Sequence, residues 1–276
     1  MKPIRWMIYG MALAVGVGLV AGVALLYSGL YDVSATSQHT PPVYWALEQG
    51  MRASVRWHAR DLRPPPIDEA LLLKGARCFD LHCAQCHGAP GRAPDDMGTG
   101  MQPLANSLVQ TGRDWPLEHI YWVAKSGLRM TGMPAWEARM GEQELWATAA
   151  FVARELPRLD VAQYGRAVTA SSGMQCELPA MNAPADTARG RATIRQYGCH
   201  GCHIIPGIVG PDVHVGPSLR EFAKRPLIAG AIPNTPENVI RWLRNPPALR
   251  PNSLMPDLGV TEQHARDMHA YLATLE

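Results

Sequence analysis

Large aromatic side chains are scarce: three phenylalanines serve 276 residues, and tryptophan and tyrosine add eight each. Rings of that kind cannot fill the interior alone, so something else must occupy it. Charge is sparse too, at 18% of residues, and nearly balanced at +2. No basic stripe interleaves with aromatics, which argues against nucleic acid as a partner. Hydrophobic residues make up 47%, an ordinary share that excludes a mainly disordered, collagenous or many-span membrane chain. The length is about twice the roughly 150 residues of a usual domain, so two modest domains are expected. The 25 glycines and 24 prolines point to loop-rich ones.

One long apolar run stands out. Trp6 to Tyr31 is 26 residues without a charge, against roughly 20 needed to cross a bilayer as a helix. Lys2 and Arg5 precede it and Asp32 follows, which leaves the amino terminus in the cytoplasm and exports the rest. A cleaved secretory signal ending near Val33-Ser34-Ala35 is the competing reading, but its apolar core would usually be only about 7–15 residues long. Residues 1–35 are therefore read as a transmembrane anchor and 36–66 as a juxtamembrane connector. The connector has a helix-like run from about Tyr44 to Asp61, stopped by Pro64-Pro65-Pro66. Trp45 and Trp57 lie either at the membrane interface, against a partner, or packed on the first domain.

Beyond the connector the chain repeats itself. Asp68 to about Leu81 reads as a helix carrying Gly75 and Phe79, running into Cys83-Ala84-Gln85-Cys86-His87. Gly190 and Ile194 lead likewise to Cys199-His200-Gly201-Cys202-His203. Each copy continues through a Gly/Pro-rich stretch to Met133-Pro134 or Met255-Pro256. Each closes with an amphipathic helix, about Gly141 to Leu156 and Thr261 to Leu275. These are domains 67–160 and 187–276. Residues 161–186, with Ser171-Ser172-Gly173, Pro179 and Pro184 and no strong periodicity, read as a linker.

Cys-x-x-Cys-His is the pattern at which haem is attached, both thiols adding to the porphyrin vinyl groups and the imidazole facing the iron. Cys83, Cys86, Cys199 and Cys202 would hold two covalent c-type haems, with His87 and His203 as iron ligands. A zinc site built from four thiolates is the rival, but zinc would not require a histidine after each pair. A second axial ligand of thioether type raises the potential. Met133 and Met255, 46 and 52 residues after their histidines and each before a proline, are the candidates. Met130 lacks that proline. His82, His200 and His214 lie near the motifs but read as surface or supporting groups.

Both copies resemble class I cytochrome c domains. The resemblance implies small all-α domains around haem, with first and last helices crossing at a Gly/aromatic contact: Gly75, Phe79 and Phe151, then Gly190, Ile194 and Tyr271. It also implies a proline carbonyl accepting the histidine's free N–H, Pro217 in the second copy and Pro103 in the first. The first copy, with Lys125-Ser126-Gly127 leading to Met133-Pro134-Ala135-Trp136, is similar to membrane-anchored monohaem cytochromes of bacterial respiratory chains. The second, with Gly216-Pro217-Ser218-Leu219, Trp242 and Met255-Pro256-Asp257, resembles the cytochrome c domain fused to subunit II of haem-copper oxidases. The paired cysteines and histidines of a binuclear copper site are missing from this sequence. Cys78 and Cys176 remain, as a disulfide or as two buried thiols.

The expectation is an all-α, single-pass protein of a bacterial inner membrane with its haem domains in the periplasm. It passes single electrons as part of a haem-copper oxidase or another respiratory complex, or as a donor to one. A catalytic dihaem enzyme of peroxidase or thiosulfate dehydrogenase type is one alternative, and the electron-accepting subunit of a periplasmic dehydrogenase another. The two candidate thioether ligands favour transfer over catalysis, and no nucleophile–base pair stands out. Residues 67–160 carry 9 basic and 12 acidic side chains, net −3, and residues 187–276 carry 10 and 7, net +3. An acidic first domain receiving a basic soluble donor, and a second domain facing the oxidase, follow if these charges steer encounter.

Overall fold

The computed structural model describes residues 2–176 and 183–276; Pro179 of the expected linker lies outside them. The chain is mostly helical. It opens with α1, Lys2–Ser28, whose Ile4–Ser28 stretch has mean hydropathy 2.2 and is exposed all round. Length and composition suit a membrane crossing. After twelve irregular residues, α2 runs over Pro41–Ala59, a proline at each of its first two positions. It lies on the first half through buried Val55 and Ala59, with the His58 ring stacked on Trp122 at 5.1 Å. Trp45 and Trp57 do not pack there: they are 64% and 65% exposed, and the Arg60 guanidinium sits 3.7 Å above the Trp57 ring.

The first half is built on two crossing helices. Asp68 caps α3, Glu69–Cys78, by accepting the Leu71 N–H. A wider π-type turn, Phe79–Cys83, continues it into the short α4, Ala84–His87. The closing helix is α8, Glu142–Ala150, extended by a second π-type turn, Phe151–Glu155. Gly75 is where the two meet. A Cβ there would fall onto the Ala147 carbonyl and 2.7 Å from Phe151 Cβ, so only glycine permits the approach. The Phe79 and Phe151 rings then meet at 5.6 Å, in the tilted geometry aromatic pairs favour. Between the two come α5, Asp96–Thr99, α6, Leu108–Asp114, and α7, Leu117–Ser126. Tyr121 of α7 stacks flat on Trp146 at 3.6 Å.

The stretch read as a linker starts with structure. Helix α9, Val161–Ala170, is held at its start by a reciprocal cap in which Asp160 and Gln163 each bond the other's backbone N–H. Its buried Tyr164 meets Phe79 edge-on and donates to Asp80. Only one ring is buried, so no apolar period showed. Cys176, past the end of α9, forms a disulfide with fully buried Cys78. The bond is the choice made between the two states left open for these cysteines.

The second half repeats the crossing with its own core. Helix α10, Thr187–Gln196, meets the closing helix α13, Glu262–Leu272, at Gly190, where a Cβ would strike the Asp267 carbonyl. Ile194 is buried at the contact and Tyr271 donates to the Pro206 carbonyl oxygen at 2.7 Å. Asp267, 1% exposed, accepts from Arg189 at 2.9 and 3.0 Å, from the Asp186 N–H and from Gln263. Between them lie α11, Pro236–Arg244, and α12, Pro246–Leu249. The all-α expectation needs one correction: β1, Leu227–Ile228, and β2, Ile232–Pro233, form a small antiparallel hairpin. Its turn places Ala229 and Gly230 at φ 49° and 75°, the left-handed pair that suits a tight reversal.

Two stability outcomes follow. Asp267→Ala leaves the Arg189 guanidinium without its buried acceptor and should lower unfolding stability by about 3 kcal/mol, read from the urea midpoint of the full chain in detergent. Cys176→Ser opens a loop of 98 residues and should cost about 2–5 kcal/mol. A midpoint unchanged by the second substitution, but still sensitive to reductant, would contradict the Cys78–Cys176 pairing.

Candidate functional site

The attachment turn of the first half follows from the widened helix end. Cys83 and Cys86 flank Ala84-Gln85 on successive turns, and Gly88, at φ 67°, takes the chain away after His87. His87 Nδ1 lies 2.7 Å from the carbonyl oxygen of Asn106. Pro103, expected in that role, is exposed with Leu104 on the outside of the loop, and the chain returns to the histidine only at Asn106, just before α6. The Nδ1–carbonyl bond places the proton on Nδ1 and leaves the Nε2 lone pair free. Burial holds His87 below the usual histidine range, which keeps that lone pair unprotonated. Burial, then the neighbouring Cys86, pushes the Cys83 thiol up to about 12. Gly98 packs on the turn from outside: a Cβ there would lie 2.8 Å from Cys86 Cα.

The second half uses the same parts. His203 Nδ1 lies 2.7 Å from the Pro217 carbonyl oxygen, the partner expected. Gly216 lies flat against the imidazole, since a Cβ would strike its Cε1 and stand 2.7 Å from Nδ1. Cys199–Gly201 is a 3-10 turn entered through Gly198 at φ 70°. Burial pushes the Cys199 thiol up as well.

The methionine loops match in a way their composition did not announce. The Met133 N–H is held by Thr131 Oγ at 3.1 Å and the Met255 N–H by Ser253 Oγ at 3.0 Å. A hydroxyl two residues upstream thus fixes each loop, and Thr-x-Met and Ser-x-Met were the available signals. Met133 and Met255 are half-buried against their respective cores, whereas Met130 is 91% exposed at φ 62°. Gly127, at φ 67°, packs on Met133 and Pro134 from below. His214 is an exposed neighbour of Asp212, and His82 and His200 each carry one buried ring nitrogen without a hydrogen-bond partner. Among the described residues no three or more His, Cys, Asp or Glu side chains are gathered as a metal site.

A cavity of about 310 Å³ opens beside His87, lined among others by Arg92, Pro94, Ser107, Leu108 and Leu156. Arg92 is placed on its wall by Asp80, 3.0 Å away, whose same oxygen accepts from Tyr164. Burial and the Asp80 bond raise the Tyr164 phenol pKa, so it stays a donor.

Residues 70–152 match the family described as cytochrome c oxidase, cbb3-type, subunit III. This chain contains a cytochrome c domain of the oxidase type. Such a domain implies covalent c-type haem and electron transport. The chain is 32% identical over 89 residues to cytochrome c oxidase subunit 2 of Alkalihalophilus pseudofirmus, covering 32% of this chain and 25% of that one. To the cbb3-type cytochrome c oxidase subunit FixP of Rhizobium etli it is 30% identical over 121 residues, 44% and 40% of the two chains. It therefore spans a quarter to two-fifths of these curated relatives. A chain of the Kuenenia stuttgartiensis reducing HAO-like protein complex aligns with 78% of it and 99% of its own length, at 16% identity and a TM-score of 0.26.

The residues fit the group the family implies. The four thiols outside the disulfide sit in the attachment turns, and each histidine offers a free, oriented Nε2. Replacing Gly98 by valine should push the Cys86 turn out of register and lower the haem bound per chain, measured by haem stain against protein. Full haem content in Gly98→Val would show that the turn tolerates displacement.

Proposed function

We propose that this protein is a membrane-anchored dihaem cytochrome c that passes single electrons in a respiratory chain, as a subunit of, or donor to, a haem-copper terminal oxidase. The observation that carries the reading is the duplicated geometry: in each half an attachment turn, a histidine held through Nδ1 by a backbone carbonyl, and a methionine loop pinned by a hydroxyl. Cys83 and Cys86 would anchor one haem and Cys199 and Cys202 the other. His87 with Met133, and His203 with Met255, would supply the axial ligands.

The bound haems supply a one-electron couple, and the chain's residues set its terms. Asn106 and Pro217 orient the imidazoles and raise their basicity through the Nδ1 bond. Thr131 and Ser253 fix the loops from which the thioethers reach inward. Were His87 with Met133 and His203 with Met255 to hold the irons, these residues would leave no site there for a substrate. α1 would hold the chain in the inner membrane with its bulk in the periplasm. The acidic first domain would accept electrons from a basic soluble donor, and the basic second domain would pass them to the oxidase.

Pyridine haemochrome assay should return two haems per chain, and the ferric protein should show the weak far-red band of sulfur ligation. Met133→Ala and Met255→Ala should each convert one haem to high spin and lower its potential. One haem per chain, or a high-spin wild type, would overturn the reading. Protease added outside the inner membrane should remove the haem domains and spare an amino-terminal tag; a soluble mature chain starting near Thr36 would show a cleaved signal instead.

A further inference from the structure

The two halves meet where the electron would have to cross. Helix α10, which leads into Cys199, lies against the 3-10 turn Trp136–Ala138 of the first half. There the half-buried Gln196 donates from Nε2 to the carbonyl oxygen of Ala135 at 2.8 Å. Ala135 is two residues past Met133, and Gln196 is three residues before Cys199. The segment is braced on its own side as well. The buried Trp136 ring lies 5.2 Å from the ring of His82, the residue before Cys83. Methionine loop, attachment turn and the neighbouring half's haem helix are thus joined at one point.

The chemistry of this link suits a fixed spacer. An amide and a backbone carbonyl carry no net charge, so their bond neither titrates in the physiological range nor is screened like an ion pair. Contacts between domains of one chain leave relative motion as the default unless the interface is large and apolar. A short turn against one helix is neither. The bond therefore has leverage over how much of the time the two centres are held together.

We propose that the Gln196–Ala135 hydrogen bond couples the two haem centres, holding the methionine side of the first against the haem helix of the second and so setting the rate of inter-haem transfer. The inference rests on the dihaem reading above. One electron leaves the reduced iron of one half and reduces the oxidised iron of the other, with no proton or third reactant. Gln196 is a positioning residue: it acts through Ala135 and the loop of Met133.

The test uses the full chain in detergent with Met255→Ala, which opens the second iron to carbon monoxide. A flash that expels carbon monoxide from the half-reduced protein sends the electron to the first haem, and the step is intramolecular when its rate is independent of protein concentration. Gln196→Leu should slow that step by roughly fivefold, the loss expected when one net hydrogen bond is removed from the contact. Haem content and both reduction potentials should stay unchanged. Gln196→Lys, which retains a donor there, should recover most of the rate. An unchanged rate in Gln196→Leu with two intact haems would overturn the coupling role alone. A slower rate accompanied by shifted potentials would also count against it, as the sign of a disturbed haem site. One haem per chain, or no carbon monoxide binding in the Met255→Ala background, would overturn the dihaem reading itself.

Discussion

Backbone meets backbone at Gly75 and again at Gly190, and the other contacts are arranged around those two crossings. Because neither position carries a Cβ, α3 reaches the Ala147 carbonyl and α10 reaches that of Asp267. The approach fixes the next turn: four residues on, Phe79 and Ile194 are pressed against the closing helices. It also sets a charge beside each crossing. Lys74 lies 2.8 Å from Glu144, and Arg189 is bonded to both oxygens of Asp267. A buried, doubly bonded pair of this kind fixes the relative register of two helices more firmly than apolar contact does, because sliding by a turn would strand a charge. The attachment turns begin where the crossed helices end, so the register of the crossing becomes the position of Cys83 and Cys199.

Some of this was legible because the signals are local. Cys-x-x-Cys-His defines its own turn, Met-Pro marks a loop, and a glycine four residues before an apolar side chain marks a helix face brought close to another. What was not legible depended on backbone atoms or on distant partners. Every residue has a carbonyl, so composition could not show that Asn106 rather than Pro103 faces His87; the path of the loop decides it. Helix α9 escaped because it buries little beyond Tyr164, although Asp160 and Gln163 were a readable start signal. The hairpin at Leu227–Pro233 is too short for alternation to register. The Gln196–Ala135 contact joins residues 61 apart, and nothing in either neighbourhood announces it.

The scarcity of large aromatics is explained unevenly by the two cores. The first gathers Phe79, Tyr121, Trp136, Trp146, Phe151 and Tyr164 into one cluster. The second has Phe222 and Tyr271 among aliphatic residues and Met268. Rings bury large areas without many rotors to freeze, so the first half assembles more apolar surface per ordered residue. The second half compensates with the Arg189–Asp267 network and with caps at Asp186, Thr235, Asn245 and Thr261.

The order of elements also bears on what each half can reach. With α1 in a bilayer, the segment 29–40 before α2 can extend to about 40 Å at most. α2 is fastened to the first half through Val55, Ala59 and His58, so that half is restrained near the surface by a helix as well as by a tether. The second half touches the first where Gln196 donates to the Ala135 carbonyl oxygen. Among the described residues, α2 meets the first half through apolar and aromatic contacts, whereas the contact between the halves includes the neutral Gln196–Ala135 bond. Residues 67–160 carry net −3 and residues 187–276 net +3, so on the proposed reading an acidic partner surface would attract the second half more than the first, while the bond at Ala135 would keep the two proposed centres at a fixed separation.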